Sequence, residues 1–428
     1  MPKSAFNAIE NNIRNFLGGA KVVLSEYEKG DLQPEPESSG EFVIQFEIDR
    51  VAYMFRATRK KLAFTAMEKN FISELLTAFV GLLSGFSAEG YVAHFRTALL
   101  TSLTDIAVAR YISGARKGSF WPAQSLIQLL KNLSYQRYEG SPATTAFLVY
   151  RTQLDDFLKS LKKTRYNWLD LGDNRRRISD DFFLNPLSYR FVDGYRAIFI
   201  SDIRMHVKGT IRTSAPGPSD NIDQLANRET VSLLSGAGDG AFAVYVNKSS
   251  EVEIVLDNGK ILLWRRGYWG IFDPDIIREF LMTELEDGSI DDLIWTIYAL
   301  SKARHGTVVL IADEGAELES LSIGSVGHRD PLSRALIKHV CGTKIRVLKR
   351  SGELSRILSS DGLTVFNRQG ELLDTGVIID TSKAHDLVVG GGRTTAATAA
   401  SHFGHVIKVS EDGPVELYFK GKNIYRFG

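Results

Sequence analysis

Apolar and polar positions change their rhythm four times along this chain. Residues 1–20 read as a short amphipathic helix ending at Gly18 and Gly19. A polar loop from Gly30 to Gly40 leads into Glu41–Ile48 and Val51–Arg56, with Asp49 and Arg50 as the turn of a hairpin. Helical spacing then dominates, over 63–85 and 89–113 with breaks at Gly85 and Gly114, from Pro122 to about Leu133, and from about Pro142 to Leu161. From Tyr189 the texture becomes strand-like: Tyr195–Ile203, Met205–Thr213, Phe242–Val246, Val252–Leu256 and Lys260–Trp264, separated by turns such as Asp257, Asn258 and Gly259. After Asp287 and Gly288 the two kinds of element alternate. A helix is expected over Ile290–Arg304, then the continuous apolar strand Thr307–Ala312, which suits a sheet covered on both faces. Helices near 331–340 and 352–359, strands near 363–367 and 373–379, a helix from Thr394 to about His402, and strands near 405–410, 415–419 and 423–427 complete it. The expected organisation is a mostly helical α+β region over 1–185, a β-rich region over 186–288, and an α/β domain with a mixed sheet and flanking helices over 289–428.

Composition narrows the function classes. A chain of 428 residues, 44% hydrophobic and 24% charged, suits a globular protein of two or three domains. The net charge of +1 gives no overall footprint for nucleic acid. A single cysteine, Cys341, excludes an internal disulfide framework and a thiolate-rich metal site, and a cytoplasmic location is expected. Met1 to Arg14 lacks the basic-then-apolar order of a signal peptide. The most apolar run, Leu62–Leu83, is interrupted by Glu68, Lys69 and Glu74, so no membrane span is expected. One basic stretch, Lys159–Arg177, interleaves Lys162, Lys163, Arg165 and Arg175–Arg177 with Tyr166 and Trp168. It reads as a solvated linker or partner-facing patch, with nucleic acid an unlikely partner. The histidines give no metal spacing: His402 and His405 straddle Gly404, and His328 and His339 do not pair.

Candidate chemistry concentrates in three short segments. Asp361 and Gly362 precede a strand, where a carboxylate can hold a divalent cation and a glycine admits close approach of a flat ligand. Gly390, Gly391, Gly392 and Arg393 precede a helix of small residues, where backbone N–H groups and a planar guanidinium suit phosphate oxygens, and Thr394 and Thr395 add hydroxyls. The run lacks the Gly-Lys-Thr of a Walker loop. Ser410 and Glu411 follow the strand Val406–Val409 and place further oxygen donors at its end.

In this order the three segments, with Leu293–Ile311 before them, resemble the diadenylate cyclase (DAC) domain family over about 135 residues. The family's Asp-Gly-Ala motif corresponds to Asp361, Gly362 and Leu363; its glycine-led Arg-His-Arg loop to Gly391, Gly392, Arg393, Thr394 and Thr395; its closing strand and hairpin to His405–Tyr425. The resemblance implies ATP as substrate, Mg²⁺ or Mn²⁺ as cofactor, and self-association that brings two domains face to face. Asp361 would serve the metal and the attacking hydroxyl, Gly362 and Leu363 would line the nucleotide, and Gly391 to Thr395 would hold phosphates. Ser410 and Glu411 would complete the pocket, with Glu411 a second metal ligand. The first 288 residues would then be a sensory or regulatory part.

The chain departs from the family at Leu363, which replaces the motif's alanine, and at Thr394 and Thr395, which replace its histidine and second arginine. Ser360 stands where many members carry a histidine, and Lys383 or His385 is a candidate for the missing charge. A catalytically degenerate sensor of ATP or a cyclic dinucleotide is therefore the alternative. A literal Asp-Gly-Ala also occurs at Asp239, Gly240 and Ala241, and is read as a turn before a strand.

Overall fold

The structure, a computed structural model, describes residues 2–27, 40–85, 93–114, 120–161, 165–179, 181–213, 227–282, 285, 287–316, 330–379 and 391–428. Lys162, Lys163, His328, Lys383, His385 and Gly390 lie outside them. The protein is a mixed α/β structure with several sheets. It divides into two compact units, one of residues 1–59 and 63–273 with Gly428, the other of residues 60–62 and 274–427.

The first unit begins with the helix Pro2–Phe16 and an antiparallel sheet of β1 (Lys21–Glu26), β2 (Glu41–Ile48) and β3 (Val51–Thr58), in the order β1-β3-β2. Asp49 and Arg50 take φ values of 51° and 68°, the left-handed pair that a tight two-residue hairpin demands. The helices Ala66–Gly85, Ala93–Ser113 and Trp121–Ser134 follow. A small hairpin of β4 (Arg137–Tyr138) and β5 (Ser141–Pro142) leads to the large sheet. Its strands are β6 (Thr145–Val149), β7 (Tyr166–Asp170), β8 (Arg176–Arg177), β9 (Ala197–Ser201), β10 (His206–Thr213), β11 (Phe242–Val246), β12 (Val252–Leu256), β13 (Ile261–Arg265) and β14 (Tyr268–Phe272). They run in the order β14-β13-β12-β11-β6-β9-β10-β7, with β8 beside β10. Only the central β6–β9 pair among these is parallel.

The expected helix over Pro142–Leu161 is where pattern reading fails. Thr145–Val149 is instead a fully buried strand, and only Leu154–Ser160 is helical. The apolar run Ala143–Tyr150 is short and rich in β-branched and aromatic residues, which fits a central strand better than a helix. One continuous core runs from Ala5 to Ile271, joining the N-terminal helices to the large sheet. The boundary expected at 185/186 falls inside that sheet, between β8 and β9, and the one at 288/289 falls inside the helix Asp287–Ala303.

Two buried carboxylates tie the helices of this unit. Glu68 and Thr65 form a capping box: Thr65 N donates to Glu68 Oε2 at 2.8 Å, and Glu68 N to Thr65 Oγ1 at 3.3 Å. Arg59 Nη1 meets Glu68 Oε1 at 2.8 Å, with side-chain exposures of 2% and 0%. Asp105 accepts from Trp269 Nε1 at 2.7 Å and from Lys131 Nζ at 2.8 Å. Glu68→Ala is expected to cost about 3–5 kcal/mol, because it removes the carboxylate that balances a buried guanidinium as well as the cap. Urea denaturation would measure it, and a cost near that of an exposed cap alone, about 1 kcal/mol, would contradict the buried pair.

The basic stretch is part of the fold. Tyr166 Oη donates to Glu229 Oε1 at 2.6 Å, the Trp168 ring lies where a Cβ on Gly209 would stand at 2.3 Å, and Arg165 and Arg175 pair with Glu229 and Asp170 at 3.0 and 2.6 Å. Both aromatic rings thus have intramolecular work. Among the described residues no helix is long and apolar enough to cross a membrane.

The second unit is a six-stranded mixed sheet with helices. Its strands are β15 (Thr307–Ala312), β16 (Leu363–Phe366), β17 (Leu372–Val377), β18 (Gly404–Val409), β19 (Val415–Phe419) and β20 (Lys422–Phe427), in the order β17-β16-β15-β18-β19-β20. Only β15 and β16 are parallel to each other. The helices are Pro274–Leu281, Asp287–Ala303, Pro331–Val340, Ile345–Ser351, Leu354–Leu358 and Gly392–Ala400. The small face of the last, Ala397, Ala399 and Ala400, packs on Val308, Leu310, Val365 and Val406. Alanines let the C-terminal half of the helix lie close to the sheet.

Candidate active site

The three segments singled out by sequence meet at one guanidinium. Arg393, in the first turn of the Gly392–Ala400 helix, places Nη1 2.7 Å from Glu411 Oε1 and Nη2 3.9 Å from Asp361 Oδ1. Asp361 is fully exposed, Glu411 largely so, and the Arg393 side chain about one-third exposed. The guanidinium also lies over the start of β15: a Cβ on Gly306 would stand 2.8 Å from Arg393 Cζ. Residues far apart in the chain thus form a single open polar cluster.

Gly362 is the geometric hinge of the first segment. Its φ is +94°, and a Cβ there would meet Gly376 C at 2.8 Å and Val377 O at 2.9 Å. Its N–H is 3.1 Å from Asp361 Oδ1, which fixes the carboxylate at the entry to β16. Leu363 is 1% exposed and packs in the core beneath the Gly392–Ala400 helix. Leu363, expected to line the nucleotide, is therefore a core residue and does not line the open cluster. Ser360 Oγ donates to Ile357 O at 2.6 Å and sits 3.1 Å from Thr375 Oγ1, which is itself 3.0 Å from Thr364 Oγ1.

Gly391 and Gly392 are exposed, and a Cβ on either would meet nothing within 4 Å, so the backbone there is open to a ligand. Thr395 Oγ1 lies 3.5 Å from Gly391 O. Thr394 Oγ1 accepts from Lys408 Nζ at 2.8 Å. Ser410 closes the β18–β19 turn through its backbone, with N–H to Pro414 O at 2.9 Å and Gly413 N–H to Ser410 O at 2.8 Å. Its backbone thus sets the position of neighbouring Glu411.

Sequence reading missed Lys408. It is 6% exposed in β18 and pairs across the hairpin with Glu416, Nζ to Oε2 at 2.6 Å. The signal was present: counting back from the Ser410–Pro414 turn places Lys408 opposite Glu416, a charge pair inside two otherwise apolar strands. The histidines keep structural surroundings. His402 is exposed beyond the helix, and the His405 ring lies 4.7 Å from that of Phe280 and 4.4 Å from that of Phe419, centroid to centroid.

Among the described residues no group of three or more His, Cys, Asp or Glu side chains is arranged to hold a metal. Asp361 and Glu411 flank one guanidinium, Glu411 at Nη1 and Asp361 at Nη2, so the Arg393 cation lies between the two carboxylates. Carboxylate oxygens are the donor type that Mg²⁺ or Mn²⁺ takes, and a cation shared by these two would have to displace the guanidinium from between them.

The literal Asp-Gly-Ala falls elsewhere. Asp239 is exposed, and Gly240, with φ +74°, donates to Asp257 Oδ2 at 2.7 Å in the turn before β11. A pocket in that unit lies between the Arg228–Leu234 helix and the sheet, lined by Tyr166, Tyr195, Glu229, Thr230 and Tyr245. Its polar groups largely satisfy one another, as in the 2.6 Å contact of Thr230 Oγ1 with Tyr245 Oη.

No protein-family model and no curated protein matches this chain. Among solved structures it is similar to one described as the crystal structure of the hypothetical membrane spanning protein from Bacillus cereus, at 18% identity. The match covers 36% of this chain and 68% of that one, with a TM-score of 0.26. A likeness of that degree decides neither fold nor chemistry, which leaves the weight on the chain's own residues.

Proposed function

We propose that residues 289–428 form a DAC-like nucleotidyltransferase domain that joins two ATP molecules into cyclic di-AMP, with the preceding residues regulating it. One observation carries this reading: Arg393 draws Asp361 and Glu411 to one place, so three segments distant in sequence, each suited to nucleotide chemistry, converge. Each domain holds one ATP, and two domains face each other. The 3′-hydroxyl of each nucleotide attacks the α-phosphorus of the other, and each attack expels pyrophosphate. The exposed backbone of Gly391 and Gly392 and the guanidinium of Arg393 bind and orient phosphate oxygens. Asp361 accepts the proton of the attacking hydroxyl, and Asp361 with Glu411 would hold Mg²⁺ or Mn²⁺. The cation supplies charge neutralisation at the phosphates. In the nucleotide-free state Arg393 is partly neutralised by Glu411 at 2.7 Å, so phosphate binding exchanges one anionic partner for another.

The second reading, a domain that binds ATP or a cyclic dinucleotide without joining nucleotides, draws on Thr394 and Thr395, which leave the phosphate loop with one arginine. Incubation of the full chain with labelled ATP and either metal, followed by product chromatography, separates the two. Cyclic dinucleotide with two equivalents of pyrophosphate is expected. ATP binding without product under either metal would favour the sensor, and no ATP binding would remove both readings.

A further inference from the structure

The Lys408 network deepens the proposed nucleotide site and rests on that reading. Lys408 Nζ has two partners among the described residues, Glu416 Oε2 at 2.6 Å and Thr394 Oγ1 at 2.8 Å. Glu416 is 7% exposed, accepts from Tyr418 Oη at 2.9 Å, and faces Arg426 Nε at 3.6 Å. Burial, then the neighbouring Glu416 carboxylate, pushes the Tyr418 phenol up, so it keeps its proton and remains the donor. Every member of this network lies on β18, β19 or β20 except Thr394, which adjoins Arg393 in the phosphate loop.

The direction of the last hydrogen bond decides what the network does. An ammonium has donors only, so Thr394 Oγ must accept. Its own proton is left to be donated, and among the described residues it has no acceptor. Accepting from a cation also polarises the hydroxyl and makes it a stronger donor. We propose that Lys408 is a positioning residue which, through Thr394, presents a charge-assisted hydroxyl donor to a phosphate oxygen of the bound nucleotide. The loop thereby regains cationic influence where its family-like pattern lacks a second arginine. The charge stays beneath the loop and is delivered through an oxygen.

The test compares affinity for ATP with affinity for adenosine, both measured on the full chain by titration calorimetry with Mg²⁺. Thr394→Val keeps the side chain's shape and leaves the Lys408–Glu416 pair intact. It is expected to weaken ATP about tenfold or more, leave adenosine unchanged, and be rescued by Thr394→Ser. Lys408→Met combined with Glu416→Gln removes both buried charges together, which avoids stranding either. It is expected to give a similar loss for ATP alone, and adding Thr394→Val to it should cost little more, because the two act as one unit. Unchanged ATP affinity in Thr394→Val, equal losses for ATP and adenosine, or independent losses that sum would each overturn the Lys408 role while leaving the nucleotide site standing. A wild-type chain that binds no ATP would overturn both.

Discussion

Asp361→Asn is expected to abolish cyclic dinucleotide formation, lowering turnover by about 10³-fold or more, while the protein stays folded and still binds ATP. The asymmetry follows from where the side chain sits. Asp361 is fully exposed and the Arg393 guanidinium stands 3.9 Å away, so the fold does not lean on its charge. Asparagine keeps an oxygen that can accept from Gly362 N–H, now at 3.1 Å, so the entry to β16 should survive. What asparagine loses is the anion that, on the proposed reading, would hold a divalent cation and take the proton of the attacking hydroxyl. Asp239→Asn, in the turn before β11, should leave turnover at the wild-type value. Steady-state product formation with thermal unfolding as a control checks both. Wild-type turnover in Asp361→Asn would mean that the reacting groups lie elsewhere.

Gly362→Ala should be the most damaging single methyl in the second unit's polar cluster, costing about 3 kcal/mol or more. The φ of +94° already disfavours any side chain, and the added Cβ would stand 2.8 Å from Gly376 C and 2.9 Å from Val377 O. Both are backbone atoms of β17, paired to β16 through Leu363 and Val377, so no rotamer can turn out of the way. Gly352→Ala supplies the comparison: φ there is +77°, and a Cβ would meet nothing within 4 Å. It should cost only about 1–2 kcal/mol, the left-handed penalty without the collision. Equal losses in the two variants would mean that β16 and β17 do not approach as closely as this geometry requires.

What could be read from sequence differs sharply between the two units, for physical reasons. In the second unit the central strands are short, mostly apolar runs, and many of the breaks are glycines and prolines. Thr307–Ala312 and Val415–Phe419 therefore emerge at their expected ends. The polar cluster was legible too, because Asp361, Arg393 and Glu411 all sit where loops meet regular elements. In the first unit, length misled. A strand and a short helix in succession, Thr145–Val149 and Leu154–Ser160, imitate one long helix when only apolar spacing is counted. The partition at 185/186 followed composition, but β6, well upstream of it, is the strand that joins β9 to β11. The buried polar contacts were hidden for another reason. Arg59 with Glu68, Asp105 with Trp269, and Thr394 with Lys408 are decided by side-chain reach across the fold, which a one-dimensional pattern does not encode. The Thr65–Glu68 capping box differs, since its spacing is itself a sequence signature, although no cap was expected there.

The place of β15 in its sheet has a consequence for biosynthesis. Its two neighbours are β16 and β18, so one hydrogen-bonding edge waits for residue 363 to be made and the other for residue 404. Until then Thr307–Ala312 is a six-residue uncharged segment of high β-propensity with both edges open, which is the profile of an aggregation nucleus. A chain truncated between β16 and β18 should therefore be far more prone to cross-β assembly than the complete one, with a holdase chaperone suppressing it.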